Sequence, residues 1–264
     1  MGVCPAECRR RITLLAMHRI PRPSHAPPIS YFWSDDAIRS RSVSDVVLSG
    51  TVQIPEPPAR LRADWAREIA SNMTLEPGDV EAMSLPRARM RWPEYARCVQ
   101  AVWDWANTFG LAEVLRASDV ALMACRGARY HHDGEQYGGL AFCNLFLSED
   151  KGLDVHFPEL GRRIPLRRGT VMIFDTCQPH AVIRRGSHGF DVADLPADED
   201  WTQLFLSWEL PIDNAQVEQA LHVHFDTDLA IPAKVSDEQV WRDGERVGVS
   251  PASGQWRPVD SANL

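Results

Sequence analysis

Hydrophobic and polar positions follow two different periods along this chain, and the change falls near Ser118. Before it, apolar residues recur at helical spacing. The stretch from Pro58 to Asn72 places Leu61, Trp65, Ile69 and, just beyond, Met73 on one face, and predicts a helix. A second helix is predicted from Pro93 to Ala106, with Tyr95, Val99, Val102, Trp103 and Ala106 forming its stripe. "TLEPGDVEAM" between them has turn chemistry and reads as a connector, and "GLAEVLRAS" extends or follows the second helix. After Ser118 the runs are short, apolar or alternating, and broken by turn residues: "DVALMAC", "ARYHHD", "GLAFCNLFLS", "LDVHF", "RIPL", "GTVMIFD", "HAVIR" and "TQLFLSWEL". Eight short strands at this spacing predict a β-sandwich or barrel, with the preceding helices laid on one sheet. The flanks are less patterned. "ISYFWSDDAIRSRSVSDVVLSG" supplies a strand or turn against the main body, "AQVEQALHVHF" suits a helix or a strand, and the last 20 or so residues read as loosely structured.

Composition adds limits. The chain has 264 residues, 44% hydrophobic and 24% charged, with a formal net charge of −8. That length supports one sizeable core. The predicted organisation is a flexible Arg- and Pro-rich tail over 1–30 and a single domain over 31–264, its β core at about 119–210. The acidic balance argues against nucleic acid as a partner. No run approaches the roughly 18 apolar residues of a membrane span, so no membrane partner is expected. "RRRITLLAM" has too short an apolar stretch for a signal peptide and no small-residue cleavage site follows it. A cytoplasmic protein is expected, with Met17 an alternative start. Cys125, Cys143 and Cys177 fall in apolar strands and read as small buried hydrophobes, while Cys4 and Cys8 lack the second ligand pair of a zinc site.

The candidate chemistry begins at "YHHDGEQ", residues 130–136. Side chains two apart on a strand share a face, so His131 and Asp133 face inward together and His132 faces out. His180, after Pro179 at the start of another predicted strand, is the best third ligand. Two histidines and one carboxylate on a common face, with positions left open, are the ligand set of non-haem Fe(II) oxygenases. Glu135 and Gln136 fall on a loop just past the ligands, His156 reads as a surface residue, and His222, His224, Asp226 and Asp228 form a second possible cluster.

The segment from Tyr130 to Leu210 resembles the Fe(II)/2-oxoglutarate-dependent dioxygenases, in their prolyl-hydroxylase-like branch. The resemblance is carried by His131-x-Asp133, "FCNLFLSED", "KGLDVHFPE" with Gly152 and Phe157-Pro158, and "GTVMIFDTCQPHAV" with Phe174-Asp175 and Pro179-His180. It covers about 80 of the 264 residues. It implies a mainly β fold with flanking helices: a double-stranded β-helix of the jelly-roll or cupin-like kind, with the N-terminal helices packed on one sheet. It also implies His131, Asp133 and His180 as metal ligands and catalytic centre, Fe(II) with 2-oxoglutarate and O2, and hydroxylation of a C–H bond with release of succinate and CO2. The substrate would be a small molecule, an amino acid or a peptide residue; oligomeric state is open. Asn144 and Phe146 occupy positions near those that contact 2-oxoglutarate in the family. The chain departs from the family where a basic residue about ten positions past the distal histidine holds the far carboxylate: that count lands on Phe190, and the final strand opens without a cation. Parity along the strand from His180 puts Val182 and Arg184 inward and Arg185 outward, which makes Arg184 the first choice for this contact, with a solvated strand-end pair as the competing reading. Arg126 and Arg129 are the reserves. Two other classes use the same ligands: a cupin-like metal-binding or sensor protein without turnover, and a metal-dependent hydrolase.

Overall fold

The computed structural model describes residues 26–34, 36–227, 235 and 237–259. Residues 1–25, with Cys4, Cys8 and Met17, lie outside the described residues, as does Asp228. In chain order the strands are β1 (Ile29–Ser34), β2 (Ala37–Ser42), β3 (Val47–Thr51), β4 (Val80–Met83), β5 (Val120–Cys125), β6 (Ala128–His131), β7 (Leu140–Phe146), β8 (Leu153–Phe157), β9 (Arg162–Pro165), β10 (Thr170–Asp175), β11 (His180–Arg184), β12 (Gln203–Pro211), β13 (Gln239–Arg242), β14 (Glu245–Val249) and β15 (Trp256–Pro258). The helices are α1 (Ala59–Asn72), α2 (Leu85–Arg91), α3 (Tyr95–Ala106), α4 (Ala112–Ala117), α5 (Gly134–Tyr137) and α6 (Ala215–Leu221).

All eight strands expected after Ser118 are present as β5 to β12, and they distribute over two antiparallel sheets. One has the order β3-β10-β7-β12-β5-β4 and the other β6-β11-β8-β9. Following the chain, β5, β7, β10 and β12 join the larger sheet while β6, β8, β9 and β11 join the smaller, so the chain winds back and forth between two layers. This strand order is that of a double-stranded β-helix, an eight-stranded jelly roll, here widened by β3 and β4 at the two edges of the larger sheet.

Strands such as "TVMIFD" are apolar on both faces because both faces are covered. On the larger sheet, Ala141, Cys143 and Leu145 of β7, Val171 and Ile173 of β10, and Leu206, Trp208 and Leu210 of β12 point outward into one apolar cluster with Leu61 and Trp65 of α1, Trp92, and Cys98, Val102 and Trp105 of α3. The alternate positions, Phe146, Met172, Phe174 and Phe205, point into the space between the sheets, where Val155, Phe157 and Val182 of the smaller sheet meet them. The helices therefore cover the outer face of the larger sheet, as the sequence predicts.

Four local expectations are corrected. The connector "TLEPGDVEAM" supplies β4, which pairs with β5 from Val80↔Cys125 to Met83↔Leu122, and helix α2 follows it. The buried stripe of α3 is Cys98, Val102, Trp105 and Ala106, while Val99 and Trp103 are half-buried at its margin. The helix is rotated so that Trp105, not Trp103, meets the sheet. The N-terminal stretch forms three strands rather than one. The part of the last 20 or so residues that is described, up to residue 259, is not loose: β13, β14 and β15 form a meander that pairs with β1, in the order β15-β14-β13-β1-β2. Its first turn is Asp243-Gly244, both at positive φ (52° and 81°), the dipeptide that tight hairpins favour.

Candidate metal centre

Strand β6 ends at His131. Its pairing with β11 runs His180↔His131 and then Val182↔Ala128, so β6 carries one extra residue between the two pairs, a β-bulge. Asp133 is not on the strand. It lies in a turn (φ −96°, ψ 5°) that caps the single-turn helix α5. The two side chains converge, but a bulge and a turn bring them together rather than strand alternation. His180 opens β11 directly opposite His131.

The three residues form a tight group, their ligating atoms all within 4.8 Å of one another. Asp133 Oδ1 lies 3.5 Å from His131 Nε2, and Oδ2 lies 3.6 Å from His180 Nε2. The imidazole centroids are 4.4 Å apart. Bonds of about 2.1 Å to one ion set neighbouring donors roughly 3.0–3.4 Å apart for octahedral to tetrahedral angles, and the two Asp133–histidine distances exceed that spacing by only a few tenths of an ångström. His131 Nδ1 is 2.6 Å from the carbonyl of Arg129, and His180 Nδ1 is 2.9 Å from that of Gln178. A carbonyl only accepts, so each Nδ1 carries the proton and each Nε2 presents its lone pair to the centre. Burial first, and the neighbouring His131 second, push the His180 imidazolium down to about 4, which keeps that ring neutral. Phe174 and Phe157 wall it at 5.0 and 5.9 Å. The donor set suits a first-row divalent ion, with no thiolate to favour zinc and one carboxylate where an all-oxygen site would need several.

Two of the three ligands hang from one turn, Asp175–Gln178. The backbone N–H of Asp133 donates to the carbonyl of Thr176 at 2.8 Å, and the Gln178 carbonyl fixes His180. The turn is clamped by Arg41, fully buried on β2, whose Nη1 and Nη2 donate to the two oxygens of Asp175 at 2.7 and 2.8 Å. Asp175 also accepts from the backbone N–H of Ser44 and of Cys177, and Gln178 Nε2 donates to the carbonyls of Ser44 and Val46. Sequence reasoning marked Asp175 and missed Arg41. A lone arginine in a polar run carries no local signal, and its partner stands 134 positions away.

The remaining candidates fall as follows. His132, expected to face out, lies just past β6 and is packed inward instead: Gly134 N–H donates to its Nδ1 and Trp256 lies 5.1 Å from its ring; burial lowers its pKa. Glu135 and Gln136 are exposed on α5 rather than on a loop. His156 is no free surface residue, because Tyr130 Oη lies 2.7 Å from its Nδ1. Among the described residues the second cluster does not assemble: Asp226 pairs with Arg39, and His222 lies 3.9 Å from Asp45. Asn144 and Phe146 do share the inward face of β7. Asn144 is buried with its Oδ1 unpartnered, and Phe146 stacks on Phe205 at 5.1 Å. Arg184 keeps the inward parity but stands at the strand's far end, 49% exposed, over Trp201 and 3.9 Å from Asp194. Its guanidinium does not enter the barrel, because Phe190, Leu195 and Trp201 of the following loop plug that end. Arg185, read as an idle outward neighbour, donates to Asp150 and to the buried Asp154.

No family model and no curated protein matches the sequence. Solved structures similar to it include a Pseudomonas putida prolyl-4-hydroxylase (16% identity, 62% of this chain and 92% of that one, TM-score 0.37) and the viral collagen prolyl hydroxylase of Paramecium Bursaria Chlorella virus-1 (11%, 63% and 90%, TM-score 0.37). A third is SnoK, a non-haem alpha-ketoglutarate-dependent carbocyclase from nogalamycin biosynthesis (10%, 72% and 87%, TM-score 0.36). At these scores the fold assignment rests on the strand order described above.

Proposed function

We propose that this chain is a metal-dependent oxygenase whose centre is His131, Asp133 and His180, with Fe(II) as the resident ion and a C–H bond of a small molecule or amino-acid residue as its target. The observation that carries the reading is the convergence of two Nε2 lone pairs and one carboxylate at the mouth of a double-stranded β-helix, each imidazole oriented by a backbone carbonyl. Fe(II) bound there would supply the capacity to activate O2. His131, Asp133 and His180 would hold the ion and leave it further positions for ligands that exchange. Phe157 and Phe174 exclude water behind His180, and the Asp175–Gln178 turn keeps two ligands in register.

For 2-oxoglutarate the fit fails where the sequence pointed. The inward positions of β12 are Gln203, Phe205 and Ser207, Val182 is the inward neighbour of His180, and Arg184 is excluded from the interior. No step is assigned to that co-substrate on these residues. A cleft of about 1070 Å³ borders Gln178 and Pro179 but none of the three ligand side chains lines it. It is not the metal cavity.

The test is turnover that needs the metal. With Fe(II) and a reducing co-substrate the wild-type chain consumes O2, and His131→Ala abolishes this while keeping its circular dichroism, since His131 is the most exposed of the three ligands. Metal-dependent hydrolysis of ester or phosphate probes, or tight metal binding without O2 consumption, would instead support the hydrolase or the binding-protein reading.

A further inference from the structure

The cleft of about 1070 Å³ lies beside the Asp175–Gln178 turn, with Gln178 and Pro179 in its wall. Phe157 also lines it, and the Phe157 ring stands 5.9 Å from that of His180. Leu160, Val223 and Trp256 add apolar surface. Ala26, Pro27 and Pro28 line the same cleft, and the carbonyl of Pro28 accepts from the backbone N–H of Val43 at 2.8 Å. The chain therefore enters the described structure at this cleft, and a backbone hydrogen bond holds it there.

Three carboxylates line it, those of Asp45, Glu159 and Glu218. Arg242 pairs with Glu159 at 2.8 Å. Asp45 has only His222 at 3.9 Å, and Glu218 forms no ion pair among the described residues. A volume at the top of the range for small-molecule pockets, with an apolar wall and two spare carboxylates, suits a stretch of basic and apolar chain. The sequence holds such a stretch immediately before Ala26. Residues 1–25, which lie outside the described residues, carry Arg9, Arg10, Arg11, Arg19 and Arg22 against one carboxylate, Glu7, in a chain of net charge −8. The apolar run "ITLLAM" separates the two groups of arginines. Attachment through Ala26 keeps this segment near the cleft at an effective concentration in the millimolar range.

We propose that the segment preceding Ala26 docks in this cleft, with its apolar run on Leu160, Pro179 and Trp256 and its arginines at Asp45 and Glu218. An exposed ion pair contributes little alone, and tethering is what lets such weak contacts persist. Docked there, the segment covers the Gln178–Pro179 step, whose Gln178 carbonyl orients His180. A basic peptide binding from solution would have to displace it. The proposal holds whichever ion the three ligands take.

Limited proteolysis of the full-length chain tests this. Chymotrypsin cuts after Leu14, Leu15 and Met17, and a synthetic peptide of residues 1–25 gives the unshielded rate. Where docking is fast relative to cleavage, the rate follows the undocked fraction. In the native chain, cleavage at these sites is expected to be roughly ten- to a hundred-fold slower than in the peptide, as a millimolar effective concentration gives against a contact of tens of micromolar. Asp45→Lys with Glu218→Lys is expected to bring cleavage to the peptide rate with circular dichroism unchanged, and Arg19→Glu with Arg22→Glu to do the same. All four substitutions together are expected to return the slow rate. The proposal is overturned if the wild type is cut at the peptide rate, if Asp45→Lys with Glu218→Lys keeps the slow rate, or if the fourfold variant is cut as fast as the peptide. A slow rate that disappears on dilution also overturns it, and would put the segment of a second copy in the cleft.

Discussion

Arg184 and Arg185 are adjacent and alike in sequence, and their surroundings give them opposite weight. Arg184 is half exposed and faces Asp194 only at 3.9 Å, a geometry worth little in water. Arg185 donates through Nε to the buried Asp154 at 2.8 Å and through Nη1 and Nη2 to Asp150 at 3.0 Å each. These contacts raise the Arg185 pKa and hold the Asp150 carboxyl below its usual range. Removing Arg185 leaves Asp154 buried without its cation, and an unpaired buried acceptor costs about 1–3 kcal/mol. Arg185→Ala is expected to lower unfolding free energy in urea by about that amount with metal affinity unchanged. Arg184→Ala is expected within about 0.5 kcal/mol of wild type, the usual range for an exposed site. Equal losses from the two would contradict the assignment.

At the scale of elements, the metal site is held by parts of the chain distant in sequence. β2 donates Arg41, the β10–β11 turn receives it through Asp175, and the same turn fixes Asp133 and His180. Breaking one side of a buried ion pair costs about 3–5 kcal/mol, and loosening an orienting contact behind a ligand costs roughly 10–100-fold in metal affinity. Arg41→Met is therefore expected to lower both thermal stability and Mn(II) affinity. The milder Gln178→Ala, which keeps the ion pair and removes the two carbonyl contacts, is expected to weaken Mn(II) binding several-fold in a folded protein. Unchanged affinity in both folded variants would show that the turn orients nothing. How far the sequence went is visible in these same elements. His131, Asp133 and His180 were legible because ligand identity and spacing survive in one dimension, and β5–β12 because their apolar runs are bounded by turn residues. The bulge at β6 and the helical turn at Asp133 were not, since both depend on pairing with β11. Arg184 was misplaced because parity gives a face but not depth, and here the strand runs out beside Trp201. The C-terminal meander was missed although Asp243-Gly244 marks its turn, because β13 and β14 hold too few apolar residues to stand out until β1 pairs with them.

At the scale of the whole molecule, a five-stranded sheet built from both ends of the described chain sits beside a double-stranded β-helix and reaches its metal centre through Arg41. Helices α1 and α3 close the opposite face over Trp65, Trp92 and Trp105. No helix among the described residues is long and apolar enough to cross a membrane. The free cysteines of the described region, Cys98, Cys125, Cys143 and Cys177, are all buried, and burial raises each thiol's pKa. They are inert packing groups rather than competing metal ligands. The proposed chemistry depends on one ion held by His131, Asp133 and His180. The direct measurement is a crystal structure of the protein with Mn(II) or Fe(II), with diffraction recorded at the metal's absorption edge. An anomalous peak is expected at bonding distance, about 2.0–2.2 Å, from His131 Nε2, His180 Nε2 and an Asp133 oxygen. A saturated crystal with no peak at these three residues, or with its peak elsewhere, would contradict the account.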